Sequence, residues 1–328
     1  MRRAGSMAVA SAAIATLLAA AHVAPAAAQE FPSKPIRMIV PFPPGGFVDI
    51  LGRQLAQKLG ETLGQNVLVD NRPGANANIG IEVVAKSAPD GYTLVQAQVS
   101  NLTVNPAVYK DLSFNVQKDL APVGFVAAAS QVLVTGAESP IKTVADLIAI
   151  AKAKPGELMF ASSGNGSLGH LGLEVMQQQA GIKFTHIPYK GAAPAVVDLM
   201  GGRAHLFIAA TPSVIGQIRA GKLRALAVTA MTRIPDLLDA PPLNESGFPG
   251  YETQNWLAVM ARAGTPPAII TRLNSALNKA LADPDLKMRF TKEGADVLAG
   301  TPQQLGDRIA ADLVKWAKVV KDAGIKME

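Results

Sequence analysis

Ile36-Arg37-Met38-Ile39-Val40-Pro41-Phe42-Pro43-Pro44-Gly45-Gly46-Phe47-Val48-Asp49 is the stretch on which the fold turns. A short apolar run is stopped by prolines. From Val48 to Leu59 the residues Ile50, Leu51, Leu55 and Leu59 then recur at helical spacing. The reading is strand, glycine loop, helix. It returns further along as a strand from Leu158 to Ala161, the loop Ser162-Ser163-Gly164-Asn165-Gly166-Ser167, and a second helix. A helix that opens straight after a glycine turn presents unpaired N–H groups and a partial positive charge, and glycine lets an anion approach them. Both junctions therefore read as anion cradles, able to grip one molecule from opposite sides. Neither loop holds a charged side chain suited to breaking bonds.

Outward from these junctions the chain alternates strands and helices. Asn66 to Asp70, Tyr92 to Gln96, Phe184 to Ile187, Leu206 to Ala209 and Leu223 to Val228 read as strands. Gly80 to Ser87, Val144 to Ala153, Ala192 to Met200, Pro267 to Ala282 and Pro302 to Lys321 read as helices, with Thr143 an N-cap and Asp146 at the third helical position. Thr211-Pro212 reads as a further N-cap and first helical residue. Such alternation predicts a mainly parallel sheet covered on both faces. The nearly uncharged, β-favouring run Pro122 to Thr135 and the strand Trp256 to Met260 are the candidate crossings between two domains.

The chain has 328 residues, and its first 28 read as a secretory signal peptide. Arg2-Arg3 is basic, Ala8 to Ala21 is apolar, and Ala26-Ala27-Ala28 supplies small residues before Gln29, so cleavage is expected between Ala28 and Gln29. The formal net charge is +6, and loss of Arg2 and Arg3 leaves about +4. That excess favours anionic small molecules. Basic residues are scattered and aromatics few, which argues against nucleic acid. With no cysteine, disulfides, thiolate metal sites and a cysteine nucleophile are excluded.

The second loop matches G-x-G-x-x-G through Gly164, Gly166 and Gly169, but the acidic residue a dinucleotide site needs is missing from His186-Ile187-Pro188-Tyr189. Neither junction ends in Gly-Lys-Ser or Gly-Lys-Thr. A hydrolase would use Ser163 or Ser167 with His170 as base, yet no G-x-S-x-G surrounds either serine and no acid lies near. His170 otherwise reads as a partly buried polar residue. His186 and His205 lack metal-ligand spacing, so no metal and no cofactor is expected. Asp49, in a first helical turn, either braces its loop through backbone N–H groups or accepts a donor from a ligand. Arg72 and Lys190 read as surface or loop-bracing charges. Ser100 and Thr211, at expected strand ends, offer neutral hydroxyls to an anion.

Taken in order, Pro41 to Asp49, Asn71-Arg72-Pro73-Gly74-Ala75, Pro89-Asp90-Gly91-Tyr92-Thr93-Leu94, the Ser162 to Ser167 loop and Pro188-Tyr189-Lys190-Gly191 resemble the Bug family, the periplasmic substrate-binding proteins of tripartite tricarboxylate transporters. The resemblance spans essentially all of the chain after residue 28. It implies an α/β, two-lobed periplasmic binding protein of type II, each lobe a mainly parallel sheet flanked by helices, the lobes joined by two crossing strands. Residues 29–128 and 254–328 would form lobe 1, and 129–253 lobe 2. It further implies a monomer without enzymatic activity that closes on a small aliphatic or aromatic carboxylate and delivers it to membrane subunits. One carboxylate would sit on the second-lobe loop, Ser162, Ser163, Gly164, Asn165, Gly166 and Ser167, with His170 and Thr211 beside it. Water would link the ligand to Phe42, Pro43, Gly45 and Gly46 of the first lobe, near Phe47, Asp49 and Ser100. An exported enzyme acting on a carboxylate and a periplasmic sensor are the alternatives. The chain departs from the family where Phe47 replaces a small hydroxylated residue and where Asn76 and Ala77 replace glycines. Phe47 either turns an aromatic face to the cleft, suiting a ring-bearing acid, or packs under its loop.

Overall fold

The strand, glycine loop and helix expected at the start are β1 (Ile36–Val40), residues 41–46 and α1 (Phe47–Leu63). The computed structural model describes residues 31–109, 111–234, 237–322 and 324. The expected signal segment and its cleavage point lie outside the described residues. The alternation continues with β2 (Val67–Asn71), α2 (Asn78–Ala85) and β3 (Thr93–Gln98). A π-helical turn (Ser100–Val104), α3 (Asn105–Val108) and α4 (Val116–Asp119) lead into the long strand β4 (Leu120–Gly136). Beyond it come α5 (Val144–Ala153), β5 (Met159–Ser162), α6 (Leu168–Ala180), β6 (Thr185–Pro188), α7 (Ala192–Met200), β7 (Leu206–Ala210), α8 (Ile215–Arg219) and β8 (Leu223–Val228). The chain then runs through β9 (Gln254–Arg262), α9 (Pro267–Leu281), α10 (Pro284–Lys292), β10 (Asp296–Val297) and α11 (Pro302–Asp322).

The strands order as β2-β1-β3-β9-β4-β7-β5-β6, with β8 and β10 also paired to β4. Pairing is parallel in the two outer groups, β2-β1-β3 and β7-β5-β6, and antiparallel where β4 and β9 join them. β4 is the crossing. Up to Ser130 it pairs with β9, and from Gln131 it pairs with β7 and β8. The return crossing enters β9 at Gln254, opposite Ser130. Three segments meet there: Thr229 Oγ1 donates to Thr253 O (2.7 Å), Thr253 Oγ1 to Gln131 Oε1 (3.0 Å), and Thr229 N to Gln131 O (2.9 Å). All three side chains are buried, so these bonds are shielded from competing water.

Register sets the two groups face to face. Gln98, at the end of β3, is level with Leu257 and hence Ala127 of β4, while Ala210, at the end of β7, is level with Gln131. Because β3 and β7 run in opposite directions, their C-terminal ends point towards each other, offset along β4 by roughly 13 Å, four residues at about 3.3 Å each. Ligands of parallel α/β sheets bind outside such ends.

Local chemistry explains most boundaries. Thr143 and Asp146 form a reciprocal capping box at α5. Asp283 accepts from Leu286 N (3.0 Å) and so caps α10. Thr211 does not cap a helix as expected. It opens a short 3-10 turn, and its hydroxyl donates to Ser130 O (2.8 Å), because the end of β7 lies against the β4 crossing. One core cluster contains Leu168 and Leu171 of α6 together with Val104, Val108, Trp256 and Trp316, so α6 packs with α3, β9 and α11. Trp256 Nε1 donates to the buried carboxylate of Asp312 (2.9 Å), which Arg308 also holds.

Candidate ligand-binding cleft

The first loop is built on Asp49. Its carboxylate is buried, accepting at Oδ2 from Gly45 N (2.9 Å) and Arg53 Nε (3.0 Å) and at Oδ1 from Asn71 Nδ2 (2.8 Å). Burial pushes its pKa up, but the bonds from Arg53, Gly45 and Asn71 outweigh this and hold it below the usual carboxylate range. Of its two expected roles, Asp49 has the bracing one, with both oxygens engaged by the loop and its supports. Asn71 also donates to Phe42 O (3.0 Å) and accepts from Arg53 (2.8 Å), so the end of β2 fixes the loop after β1. No sequence period singles out Asn71; only the parallel register of β1 and β2 brings it there.

Phe42 and Phe47 are half-buried, and Pro43, Gly45 and Gly46 are exposed. Gly45 has φ +81°, which favours glycine, whereas Gly46 has φ −82° and caps α1 with no side-chain bond. The first N–H groups of α1 thus have no side-chain cap. Ser100 opens the π-helical turn after β3 and is 4 % exposed.

A third segment belongs to this mouth. Ala75, Asn76 and Ala77 have φ of +46°, +49° and +74°, three consecutive non-glycine residues in the left-handed region. Each such residue costs on the order of 1 kcal/mol, so the turn persists only because its surroundings hold it. The hold is an amide network. Asn76 Nδ2 donates to Asn105 Oδ1 (2.8 Å), and Asn76 O accepts from Asn101 Nδ2 (3.1 Å) and Asn105 Nδ2 (2.9 Å). Asn105 Nδ2 also reaches Asn78 Oδ1 (2.6 Å).

The second loop rests on two histidines. The rings of His170 and His186 stack with centroids 3.9 Å apart and planes 8° from parallel. His170 Nδ1 accepts from Gly166 N (3.1 Å), which leaves Nε2 as the ring's N–H, and Glu174 lies 3.6 Å from Nε2: contrary to expectation an acid does stand beside His170, one helical turn along α6. His186 Nε2 lies 2.6 Å from Ser162 Oγ, and that oxygen donates to Gly164 O (3.0 Å) and accepts from Gly164 N (3.2 Å). Burial, then the neighbouring His170 ring, lower the His186 pKa to about 4, with Glu174 opposing. The turn Pro188 to Gly191 backs the loop through Tyr189 N to Ser162 O (3.0 Å) and Gly191 N to Ser163 O (3.2 Å).

Ser162 is fully buried under the loop, Ser163 and Asn165 are exposed, Gly164 and Ser167 are half-buried, and Gly166 is buried. Ser167 caps α6, its Oγ accepting from His170 N (3.3 Å). The N–H groups of Gly164, Gly166 and Ser167 are engaged within the loop. Those of Leu168 and Gly169, in the first turn of α6, have no intrahelical partner and can receive an anion. A side chain at Gly166 would come within 3.6 Å of Val108 Cγ2, so α3 of the opposite group faces this loop directly.

Neither serine–histidine pairing is a catalytic one. His170 offers its ring to Gly166 and its backbone to Ser167. The Ser162–His186 pair is short, but Ser162 is inaccessible, and no carboxylate hydrogen-bonds His186 among the described residues. Thr211 is buried, its hydroxyl donating to Ser130 O. Arg72 is exposed beside Asp70, and Lys190 is exposed. Among the described residues there is no group of three or more His, Asp or Glu able to hold a metal, and no helix long and apolar enough to cross a membrane.

The model of the tripartite tricarboxylate transporter family receptor matches residues 51–325. Protein BugT of Bordetella pertussis is 42 % identical over 306 residues, covering 93 % of this chain and 94 % of its own. The structure of R. palustris Rpa4515 with adipate is 37 % identical with a TM-score of 0.83, over 90 % of this chain and 99 % of that one. MatC of Rhodopseudomonas palustris, with bound malate, is 27 % identical with a TM-score of 0.79, over 88 % and 100 %. A match over this much of the chain, to relatives sharing both sequence and fold, makes the chain a member of the tripartite tricarboxylate transporter receptor family.

Proposed function

We propose that the chain is a periplasmic solute receptor that captures a small organic carboxylate between its two glycine loops and delivers it to the membrane subunits of a tripartite tricarboxylate-type transporter. The observation that carries this reading is the pair of loops after β1 and β5, which run parallel to β3 and β7 and so lie at opposed strand ends, one backed by two histidines and opening a helix N-terminus. The relatives with adipate and malate support the ligand class. Residues 29–128 with 254–328, and 129–253, act as the two lobes, and the change of partners of β4 at Ser130 and Gln131 agrees with that division. The first jaw is Phe42, Pro43, Gly45, Gly46 and Phe47, braced by Asp49, with Ser100. The second is Ser162 to Ser167, with His170 beneath it and Thr211 at its edge. The receptor works as a monomer, after export, without cofactor or bond-breaking chemistry.

Binding alone is energetically sufficient. Micromolar affinity is about 8 kcal/mol, and each hydrogen bond to a charged group contributes roughly 1.5 to 3 kcal/mol. Four or five such bonds reach that figure before the cost of closure, which burial of the ligand's carbon frame offsets. Calorimetry with di- and tricarboxylates, aromatic acids and amino acids tests the reading. A true ligand at 100 times its Kd raises stability by about 2.7 kcal/mol. Release of a product would convert the receptor into an enzyme, and a panel with no binder would refute carboxylate capture.

A further inference from the structure

We propose that Asn76 is a positioning residue for ligand capture, locking the π-helical turn and α3 of the first mouth against the glycine loop of the second. The inference rests on the receptor reading above. It starts from the run of left-handed residues Ala75, Asn76 and Ala77, a conformation a chain adopts only where neighbours impose it. Asn76 is the residue through which they do so. Its amide and its carbonyl bond to Asn101 and Asn105, both fully buried, and Asn105 ties in Asn78 at the start of α2. The Asn76 amide and carbonyl, with the Asn105–Asn78 bond beside them, therefore join the turn after β2 to the segment after β3.

That segment reaches the second group, alongside β9 and α11. α3 starts at Asn105 and presents Val108 to Gly166, whose N–H is held in turn by His170. Leu168 and Leu171 of α6 share a core cluster with Val104 and Val108. The contacts thus run from Asn76 through Asn105 and Val108 to the second loop. Close packing transmits a shift along such a line. Ser100, at the other end of the π-helical turn, is carried by the same segment, so the network also sets where the first mouth places its hydroxyl.

The variant Asn76→Gly removes the one side-chain bond and keeps the backbone ones. Glycine accepts φ +49° without strain and retains the carbonyl that Asn101 and Asn105 hold, while the amide bond to Asn105 is lost and the buried Asn105 Oδ1 loses its donor, so Tm is expected to fall modestly. Ala75→Gly relieves strain one residue away and leaves the network whole. In unliganded full-length mature protein, hydrogen exchange over residues 99–108 is expected to quicken in Asn76→Gly and to stay unchanged in Ala75→Gly. The Kd for adipate or malate, whichever binds the natural chain, is expected to rise about tenfold in Asn76→Gly only. Unchanged exchange in Asn76→Gly overturns the proposal, as does unchanged Kd, or an equal loss in Ala75→Gly. A natural chain that binds no acid refutes the receptor reading instead, and is distinguished because the exchange comparison needs no ligand.

Discussion

Acidification should destabilise the protein through His186, by an amount that follows from the ring's surroundings. The ring stacks on His170, and its Nε2 lies 2.6 Å from Ser162 Oγ. Burial and the adjacent ring lower its pKa from 6.5 to about 4 in the native state, while an unfolded chain restores the ordinary value. Between those values the unfolded state holds a proton that the native state lacks. The contribution is therefore fully present above pH 6.5 and is lost as pH falls through 4. At full weight the shift corresponds to about 3 kcal/mol. The ring keeps some contact with solvent, which screens the effect to about 1–2 kcal/mol. Urea unfolding of the natural chain and of His186→Gln, at about pH 7 and about pH 4.5, isolates it. Glutamine can still bond Ser162 but does not titrate, so carboxylates common to both proteins cancel. The natural chain is expected to lose about 1–2 kcal/mol more than the variant on acidification. Equal losses would refute the burial argument for His186.

Ser167→Ala removes the cap of α6 and should cost about 1 kcal/mol of stability as well as weakening ligand binding, read by urea unfolding and calorimetry; an unchanged Kd removes Ser167 from the site. Gly46→Val should fold normally, because a Cβ there meets only Pro43 O at 3.7 Å, yet should weaken binding about tenfold or more by covering the α1 N–H groups; normal affinity would count against the first jaw. Asp49→Asn should lower stability by about 1–3 kcal/mol, since burial leaves no water to replace the charge-assisted bonds to Arg53 and Gly45; an unchanged urea midpoint would refute the bracing role.

Local periodicity made β1, α1, α5 and both glycine loops legible, because their signals lie within a few residues of one another. The capping box of Thr143 and Asp146 spans one helical turn and reads directly. The supports of the loops did not read, because they come from far along the chain. His186 reaches Ser162 from 24 positions away, Asn71 reaches Phe42 from 29, and Thr253 reaches Gln131 from 122. Each depends on sheet register, which sequence pattern constrains only through facing. Thr211 misled for the same reason: Thr-Pro is a sound local cap signal, but the carbonyl of Ser130, 81 positions away, takes its hydroxyl. Asn76 and Ala77 stand out in sequence as substitutions in a motif, while the left-handed backbone that gives them meaning is visible only in the fold.

The different supports beneath the two loops bear on which end of a ligand each receives. Under the first lies an ionised carboxylate, Asp49, whose charge is only partly offset by the half-exposed Arg53. It faces the same N–H end of α1 that an incoming anion would need, and it already occupies the Gly45 N–H. A second negative charge brought there meets repulsion at short range. Under the second loop the supports are Ser162 and two imidazoles, His170 accepting a hydrogen bond from Gly166 N and His186 kept from protonation near neutral pH by burial. Glu174 sits one turn further along α6 and is directed at His170 Nε2. The positive end of α6 is therefore left uncompensated at Leu168 and Gly169. On the proposed function, electrostatics favours the second loop for the charged end of a ligand. The first loop, with Phe47 beside it, is better matched to a neutral or water-bridged end, and adding a full charge to that end of a test ligand should strengthen binding less than adding carbon.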